Sequence, residues 1–120
     1  PILTCPTDSD KFTSKKSSIG NKTLDYPVGL ITADEVAMAG GVVSYSNANS
    51  SYYLYTNQPY WSGSPFLFNS GYADEFHVNS SGNLINRSVL NAAGTRPVVS
   101  LSSKVQLSGS GTYDDVYTVS

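Results

Sequence analysis

The pattern of apolar and polar positions centres on residues 60–65, which hold the only tryptophan of the chain. Tyr60 and Trp61 stand at the start of a strand pattern. Large aromatic side chains with a polar tip commonly anchor a small β-rich core. The apolar strand patterns elsewhere are typical of a sheet that closes over the indole, so we expect Trp61 to be mostly buried rather than to stack on a ligand.

A helix is predicted directly after a short apolar run, because residues 32–35 read Thr-Ala-Asp-Glu and have the form of a capping box. Thr32 can accept a hydrogen bond from the amide of Glu35, and Glu35 can reach back to the amide of Thr32. Val36 belongs to the stripe expected to be buried. The two glycines at 40–41 predict the end of the helix.

A β-hairpin is predicted after Trp61. An apolar run and an Asn-Ser-Gly turn over residues 66–71 lead into an alternating pattern over residues 73–78. Successive side chains of a strand point to opposite faces. The alternation therefore predicts that Phe76 and Val78 face the core and that His77 faces solvent.

The C-terminal third predicts one strand and one further hairpin. Residues 96–101 read Arg-Pro-Val-Val-Ser-Leu, which predicts a strand with Val99 and Leu101 towards the core. Arg96 is expected to bond backbone carbonyls or a carboxylate at the end of the sheet rather than a substrate. Residues 105–119 surround a Gly-Ser-Gly turn and predict a terminal hairpin.

The N-terminal segment is polar. Residues 7–25 carry four lysines and three aspartates, with a turn signal at Gly20-Asn21, and predict an extended arm or a hairpin. We therefore expect one domain over residues 1–120, with an arm over 1–25 and a body over 26–120.

Composition narrows the class of protein. A chain of 120 residues can bury roughly two-thirds of its unfolded surface in one domain. Charged residues are only 13% of the chain, whereas tyrosine numbers nine, asparagine nine and serine twenty, so hydroxyl, amide and phenol groups must cover the surface. A net charge of −2 disfavours nucleic acid and anionic membranes as partners.

The single Cys5 excludes an internal disulfide. Any export signal or anchor is expected outside this segment, which has the character of an excised C-terminal piece.

Candidate catalytic and metal-ligating residues are few. His77 is the only histidine, so a hydrolase built on a histidine base is the least favoured alternative. Adjacent acidic residues on a strand point to opposite faces, which disfavours a shared metal. Asp114 and Asp115 fit turn chemistry better, with a weak calcium site as the alternative. We therefore predict no catalytic residues, no metal and no cofactor.

The order of several short motifs resembles a known group of proteins. The motifs lie at residues 30–35, 60–65, 80–82, 94–101 and 109–112. Together they resemble C-terminal domains of surface proteins from Gram-positive gut-type bacteria and their phages, often found behind a prepilin-like helix. The resemblance implies a C-type-lectin-like fold, shared distantly with formylglycine-generating enzymes and with hypervariable receptor domains of retroelements. The calcium motifs of sugar-binding lectins and the cysteine pair of the formylglycine enzymes are absent, which disfavours both chemistries.

These observations predict an α+β domain with a twisted, largely antiparallel sheet and one or two short helices, similar to the C-type-lectin-like fold. The expected function is non-enzymatic ligand binding or adhesion on the outside of a cell or virion, with a protein or glycan as partner. The alternative is a structural pilin-type or fibre subunit that self-associates. Tyrosine, asparagine and charged groups are typical of recognition surfaces. In the resembling receptors the segment matching residues 66–91 carries the binding residues, and the predicted contact residues here are Phe66, Phe68, Asn69, Tyr72, Glu75, His77, Asn83, Asn86 and Arg87.

Overall fold

One helix and nine strands form the regular structure of the described residues, which in this computed structural model are residues 7, 11–17, 20–112 and 114–120. Every strand ladder among them is antiparallel. This arrangement confirms the α+β class. Cys5 lies outside the described residues, and the division into arm and body stays a prediction. In chain order the elements are β1 (Lys16–Ser17), β2 (Gly20–Asn21), β3 (Val28–Leu30), α1 (Ala33–Met38), β4 (Tyr60–Asn69), β5 (Tyr72–Val78), β6 (Leu84–Ser88), β7 (Pro97–Val99), β8 (Leu107–Ser108) and β9 (Thr118–Val119).

The central element is a three-stranded sheet in the order β4-β5-β6. The predicted hairpin is confirmed: β4 and β5 are joined at Ser70 and Gly71, which both have positive φ. Strand β4 is longer than expected, because it begins at Tyr60 and continues through the apolar run to Asn69. Its register with β5 shifts on either side of Pro65. Proline donates no ladder hydrogen bond, so an irregularity at this position is expected.

The helix begins as the sequence predicts. The side chain of Thr32 accepts from the amide of Glu35 at 3.1 Å, and the carboxylate of Glu35 accepts from the amide of Thr32 at 2.8 Å. Both halves of the capping box are therefore formed. After the last turn, Gly40 takes a φ of 107°, which glycine adopts without the penalty that a Cβ imposes.

The core lies between α1 and one face of the sheet. Tyr60, Val78 and Leu84 are register partners across the three strands, and all three are buried. Ala33 and Val36 of α1 complete the cluster. We call this the inner face of the sheet, and the opposite side the outer face.

The expectation that Trp61 anchors the core is wrong, because Tyr60 takes that place. Consecutive strand residues point to opposite faces, so burial of Tyr60 on the inner face sends Trp61 to the outer face. There Trp61 is only partly buried. The predicted alternation of Phe76, Val78 and His77 is correct in phase, but only Val78 is buried in the core, and Phe76 packs at its margin.

The expectation of an exposed His77 is also wrong. Its side chain is only 1% exposed. His77 pairs with Trp61 on one side and with Ile85 on the other, and its ring lies 5.6 Å from the indole ring. Alternation predicts the face of a residue and leaves open whether that face is covered. Here large neighbours on both adjoining strands help to enclose the imidazole.

Three further expectations concern short strands. Only residues 97–99 of the predicted 96–101 strand are extended in a ladder, and Val99 and Leu101 are exposed rather than buried. Among the described strands, β7 pairs with β3, and Val98 between the exposed neighbours is its half-buried residue. The hairpin predicted as one alternative for the N-terminal segment is confirmed, because β1 and β2 pair antiparallel, but Gly20-Asn21 lies in β2 and is not a turn.

The terminal hairpin is confirmed, since β8 and β9 pair antiparallel. Asp115 accepts a hydrogen bond from the amide of Ser110 at 2.8 Å, which is the turn role expected of it. Among the residues that the structure describes, no helix has the length and apolar character needed to cross a membrane.

Candidate functional site

The predicted contact residues do not form one continuous surface. Their register partners divide them between the two faces of the sheet. Glu75, His77, Phe68 and Arg87 belong to the outer face. The inner face carries the others that lie in the ladder, Asn69, Tyr72 and Asn86, together with Phe66, whose ring packs edge-on against Phe76 at 4.9 Å.

The end of the β4–β5 hairpin carries the three exposed aromatic side chains of this set, together with the exposed Leu67, which the sequence did not predict as a contact residue. Phe68 is 76% exposed, Tyr72 62%, Leu67 43% and Phe66 39%. We call these four residues the aromatic end. Three of them lie in the ladder of the hairpin, which pairs Leu67 with Asp74, Phe68 with Ala73 and Asn69 with Tyr72. The ladder places Phe68 on the outer face and Tyr72 on the inner face, so the aromatic end presents apolar area on both sides of the hairpin end.

A charged pair adjoins the buried histidine on the outer face. Glu75 and Arg87 are direct register partners in β5 and β6, one step along the ladder from His77 and Ile85. Burial lowers the pKa of His77 below its ordinary value, and the nearby Arg87 charge lowers it further, against an opposing effect of the Ile85 carbonyl. The imidazole is therefore neutral at neutral pH.

His77 has one weakly satisfied and one unsatisfied ring nitrogen. Nδ1 lies 3.4 Å from the carbonyl of Ile85, and Nε2 is buried without a hydrogen-bond partner in the described part of the chain. An enclosed ring of this kind cannot reach an external ligand while the fold is intact. His77 therefore supports the outer face rather than contacting a partner.

Asn83 and Asn86 have internal hydrogen-bond partners. Asn83 is buried, and its Nδ2 donates to the carbonyl of Asn47 at 2.7 Å, so it fixes a loop. Asn86 donates to Asp74 at 2.8 Å and accepts from the hydroxyl of Tyr45 at 2.7 Å. Tyr45 is exposed and was absent from the predicted set, because a serine-rich loop gives no signal that it folds back against a strand.

Sequence reasoning missed a concave feature, a cleft of about 540 Å³ between α1, the 52–55 turn and the start of β7. We call it the Arg96 cleft. Backbone bonds hold its parts together: the amide of Gly63 donates to Ile31 at 2.8 Å, and the amide of Trp61 donates to Gly94 at 3.0 Å. The cleft is lined by Ile31, Glu35, Ala39, Tyr53, Leu54, Tyr60, Arg96, Pro97 and Val98.

Arg96 is fixed at this cleft by two contacts. Its Nη1 donates to the carbonyl of Leu54 at 2.8 Å, which confirms the predicted bond to a backbone carbonyl. The guanidinium carbon lies 4.5 Å from the centre of the Tyr60 ring, within the range of a cation–π interaction. The hydroxyl of Tyr60 also donates to Leu54, at 3.3 Å. The Leu54 carbonyl thus joins the arginine to the core tyrosine.

Tyr52 stiffens the turn that forms one wall of the cleft. Its hydroxyl donates to the carbonyl of Gly82 at 2.9 Å. Burial raises the pKa of Tyr52 above its ordinary value, and the adjacent Tyr60 hydroxyl raises it further. The phenol therefore remains protonated across the physiological range and acts as a fixed donor.

Metal-binding groups do not gather in the described residues: no three side chains of histidine, cysteine, aspartate or glutamate lie close enough there to hold an ion. Comparison of the chain with models of known protein families, with curated proteins and with solved structures finds no match. The features that bear on function are therefore the aromatic end, the Arg96 cleft and the residues that support them.

Proposed function

We propose that this chain is a non-enzymatic ligand-binding or adhesion domain, displayed outside the cell on a bacterial or phage surface protein, and that the aromatic end is its contact surface. The observation that carries the proposal is the concentration of exposed apolar area at Phe66, Leu67, Phe68 and Tyr72 on a paired hairpin. Apolar patches of this kind on a small domain commonly mark interaction sites.

The chemistry around the aromatic end favours recognition of a protein or glycan. Asn69 is exposed in the same hairpin, and the Glu75–Arg87 pair lies further along the outer face. Rigid aromatic area combined with adaptable amide and charged groups is typical of binding surfaces. His77 and Asn83 take supporting roles in this proposal, because both are buried.

A C-type-lectin-like scaffold is the finer form of the fold that we propose. The resemblance of the motifs supports it, together with the short helix and the antiparallel ladders. In that scheme the end of the β4–β5 hairpin is the displayed segment, and the core at Tyr60, Val78 and Leu84 holds the hairpin in place.

Self-association as a structural subunit is the second candidate function. A separate observation favours it: the C-terminal hairpin exposes Leu107, Val116, Tyr117 and Val119. An isolated two-stranded hairpin is marginally stable in water, so burial against another copy would stabilise it. Sedimentation velocity over a range of protein concentrations separates the candidates, because assembly depends on concentration and binding of a foreign ligand does not require it.

The test of the binding proposal is a glycan array and a displayed library of random peptides, each probed with the wild-type domain and with the double variant Tyr72→Ala/Arg87→Ala. We expect the double variant to bind selected ligands at least about tenfold more weakly, since two contact residues are lost. Its melting temperature should be almost unchanged. The matched control, Tyr26→Ala/Lys104→Ala, removes one exposed tyrosine and one exposed base elsewhere. Equal binding by the Tyr72→Ala/Arg87→Ala protein would reject the assignment.

A further inference from the structure

We propose that the Arg96 cleft is a second binding site, and that it takes the free carboxyl terminus of a peptide whose last side chain is aliphatic. This site is separate from the aromatic end. Tyr60 lines the cleft at the start of β4, and the aromatic end lies towards the other end of that ten-residue strand. The strand spans about 30 Å, so one small ligand cannot occupy both positions.

The guanidinium of Arg96 is the group that would recognise the carboxylate. Arginine carries five N–H donors in a planar fork that matches a carboxylate. Here one hydrogen bond, from Nη1 to Leu54, and the stacking on Tyr60 hold the fork in place. The guanidinium makes no other hydrogen bond to the described residues. A fixed arginine with unused donors at the wall of a cleft is prepared for an anionic acceptor, because little side-chain entropy remains to be lost.

The rest of the lining selects an alkyl group beside the carboxylate. Five aliphatic or proline side chains line the cleft, at Ile31, Ala39, Leu54, Pro97 and Val98. The volume of about 540 Å³ lies within the range of sites for small ligands. Tyr53 lines the cleft and is 83% exposed, so its ring can cover a bound chain without first leaving the core. A sugar acid would place its hydroxyl groups against this apolar area, so it fits the lining less well than an alkyl group does.

Glu35 excludes a highly charged anion from the same cleft. Its Oε2 accepts from the amide and the hydroxyl of Thr32, at 2.8 and 2.9 Å, so the capping box keeps the carboxylate in position. One cation and one anion in a cleft favour a ligand with a single negative charge and nearby N–H donors. A peptide terminus has both features, whereas a phosphate group carries too much negative charge.

The test is a titration of the nitrogen-15-labelled domain, followed by NMR, with the peptide acetyl-Ala-Ala-Leu and with its C-terminal amide. We expect saturable shifts at Leu54 and Val98 with the free acid, and binding at least about tenfold weaker with the amide. Arg96→Gln should weaken binding of the acid to a similar extent. Tyr53→Ala, at an exposed position, should weaken it at least about threefold and keeps the test valid if Arg96→Gln fails to fold.

The control variant is Tyr72→Ala/Arg87→Ala, which alters the surface of the proposed adhesion function and should leave peptide binding unchanged. Failure of the two proposals is therefore distinguishable. Equal binding of the acid and the amide, absence of saturable shifts at the cleft, or tighter binding of galacturonate than of the peptide would each overturn the assignment.

Discussion

Acidification should destabilise the fold through His77. The imidazole is 1% exposed, and its Nε2 has no partner among the described residues, so the folded state disfavours the protonated ring. The pKa of His77 is lowered in the folded state, mainly by burial. As the pH falls below about 6.5, the unfolded chain binds the proton first. Stability is therefore complete above that pH and is lost as the pH falls towards the folded-state pKa.

The size of the loss in the free energy of unfolding follows from the titration of one group, the His77 imidazole. If the ring stays neutral in the fold, lowering the pH from 7.5 to 5.5 removes at most about 1.4 kcal/mol of the free energy of unfolding. For a chain of this length, that loss lowers the melting temperature by about 5 °C.

Urea unfolding across this pH range, followed by the fluorescence of Trp61, measures the effect. Trp61 is the only tryptophan and lies 5.6 Å from the His77 ring, so native-state emission also reports protonation of the ring. The control variant His77→Leu fills the space between Trp61 and Ile85 with an apolar group and should lose the pH dependence. A wild-type protein with pH-independent stability, or a slope that persists in His77→Leu, would refute the reasoning.

Four further predictions concern stability. Gly82→Ala should lower the free energy of unfolding by well over 2 kcal/mol, because φ is positive there and the new Cβ would meet the carbonyl of Asn49. Gly71 also has positive φ but open space around it, so Gly71→Ala should lower it by only about 1–2 kcal/mol. Urea unfolding of the two variants under matched conditions measures the difference. Thr32→Ala should cost about 1 kcal/mol through loss of the helix cap, and Thr32→Ser should restore most of it. Tyr60→Ala should cost about 3–5 kcal/mol and more than alanine at the neighbouring tryptophan, and a reversed order in thermal unfolding would contradict the core described above. Added calcium should change the melting temperature little, and a shift that saturates at low calcium would contradict the prediction that the domain binds no metal.

Local signals in the sequence were enough for the helix and the main hairpin. The capping box at Thr32 and Glu35 involves residues three apart, and the turn after Asn69 involves neighbours. Interactions over such short separations depend on neighbouring residues alone, so the sequence predicts them without knowledge of the remaining fold.

Burial could not be predicted in the same way, because it depends on which distant segment covers a face. Alternation assigned His77 to the correct face, yet its enclosure depends on Trp61 and Ile85 in two other strands. The inward side of β7 was likewise misassigned, since its partner in the described part of the chain is the distant strand β3. To predict that Val98 is more buried than Val99, one has to know that β3 is the partner strand.

The Arg96 cleft could not be found from sequence for the same reason. Its walls come from four separated segments around residues 31–39, 53–54, 60 and 96–98. The prediction that Arg96 would bond a backbone carbonyl was correct, but the sequence did not indicate the carbonyl of Leu54, forty-two positions earlier. Part of the predicted contact surface had a local signal, the exposed aromatics beside a turn, and that part remains the centre of the proposal.

The most direct test of the proposed contact surface is hydroxyl-radical footprinting of aromatic side chains, with the domain free and bound to the peptide or glycan that the arrays select. The proposal predicts protection of Phe68 and Tyr72 on binding. Phe12 and Tyr26 are similarly exposed in the N-terminal part of the chain and should react equally in both states. Protection of Phe12 or Tyr26, with Phe68 and Tyr72 unchanged, would contradict the assignment of binding to the aromatic end.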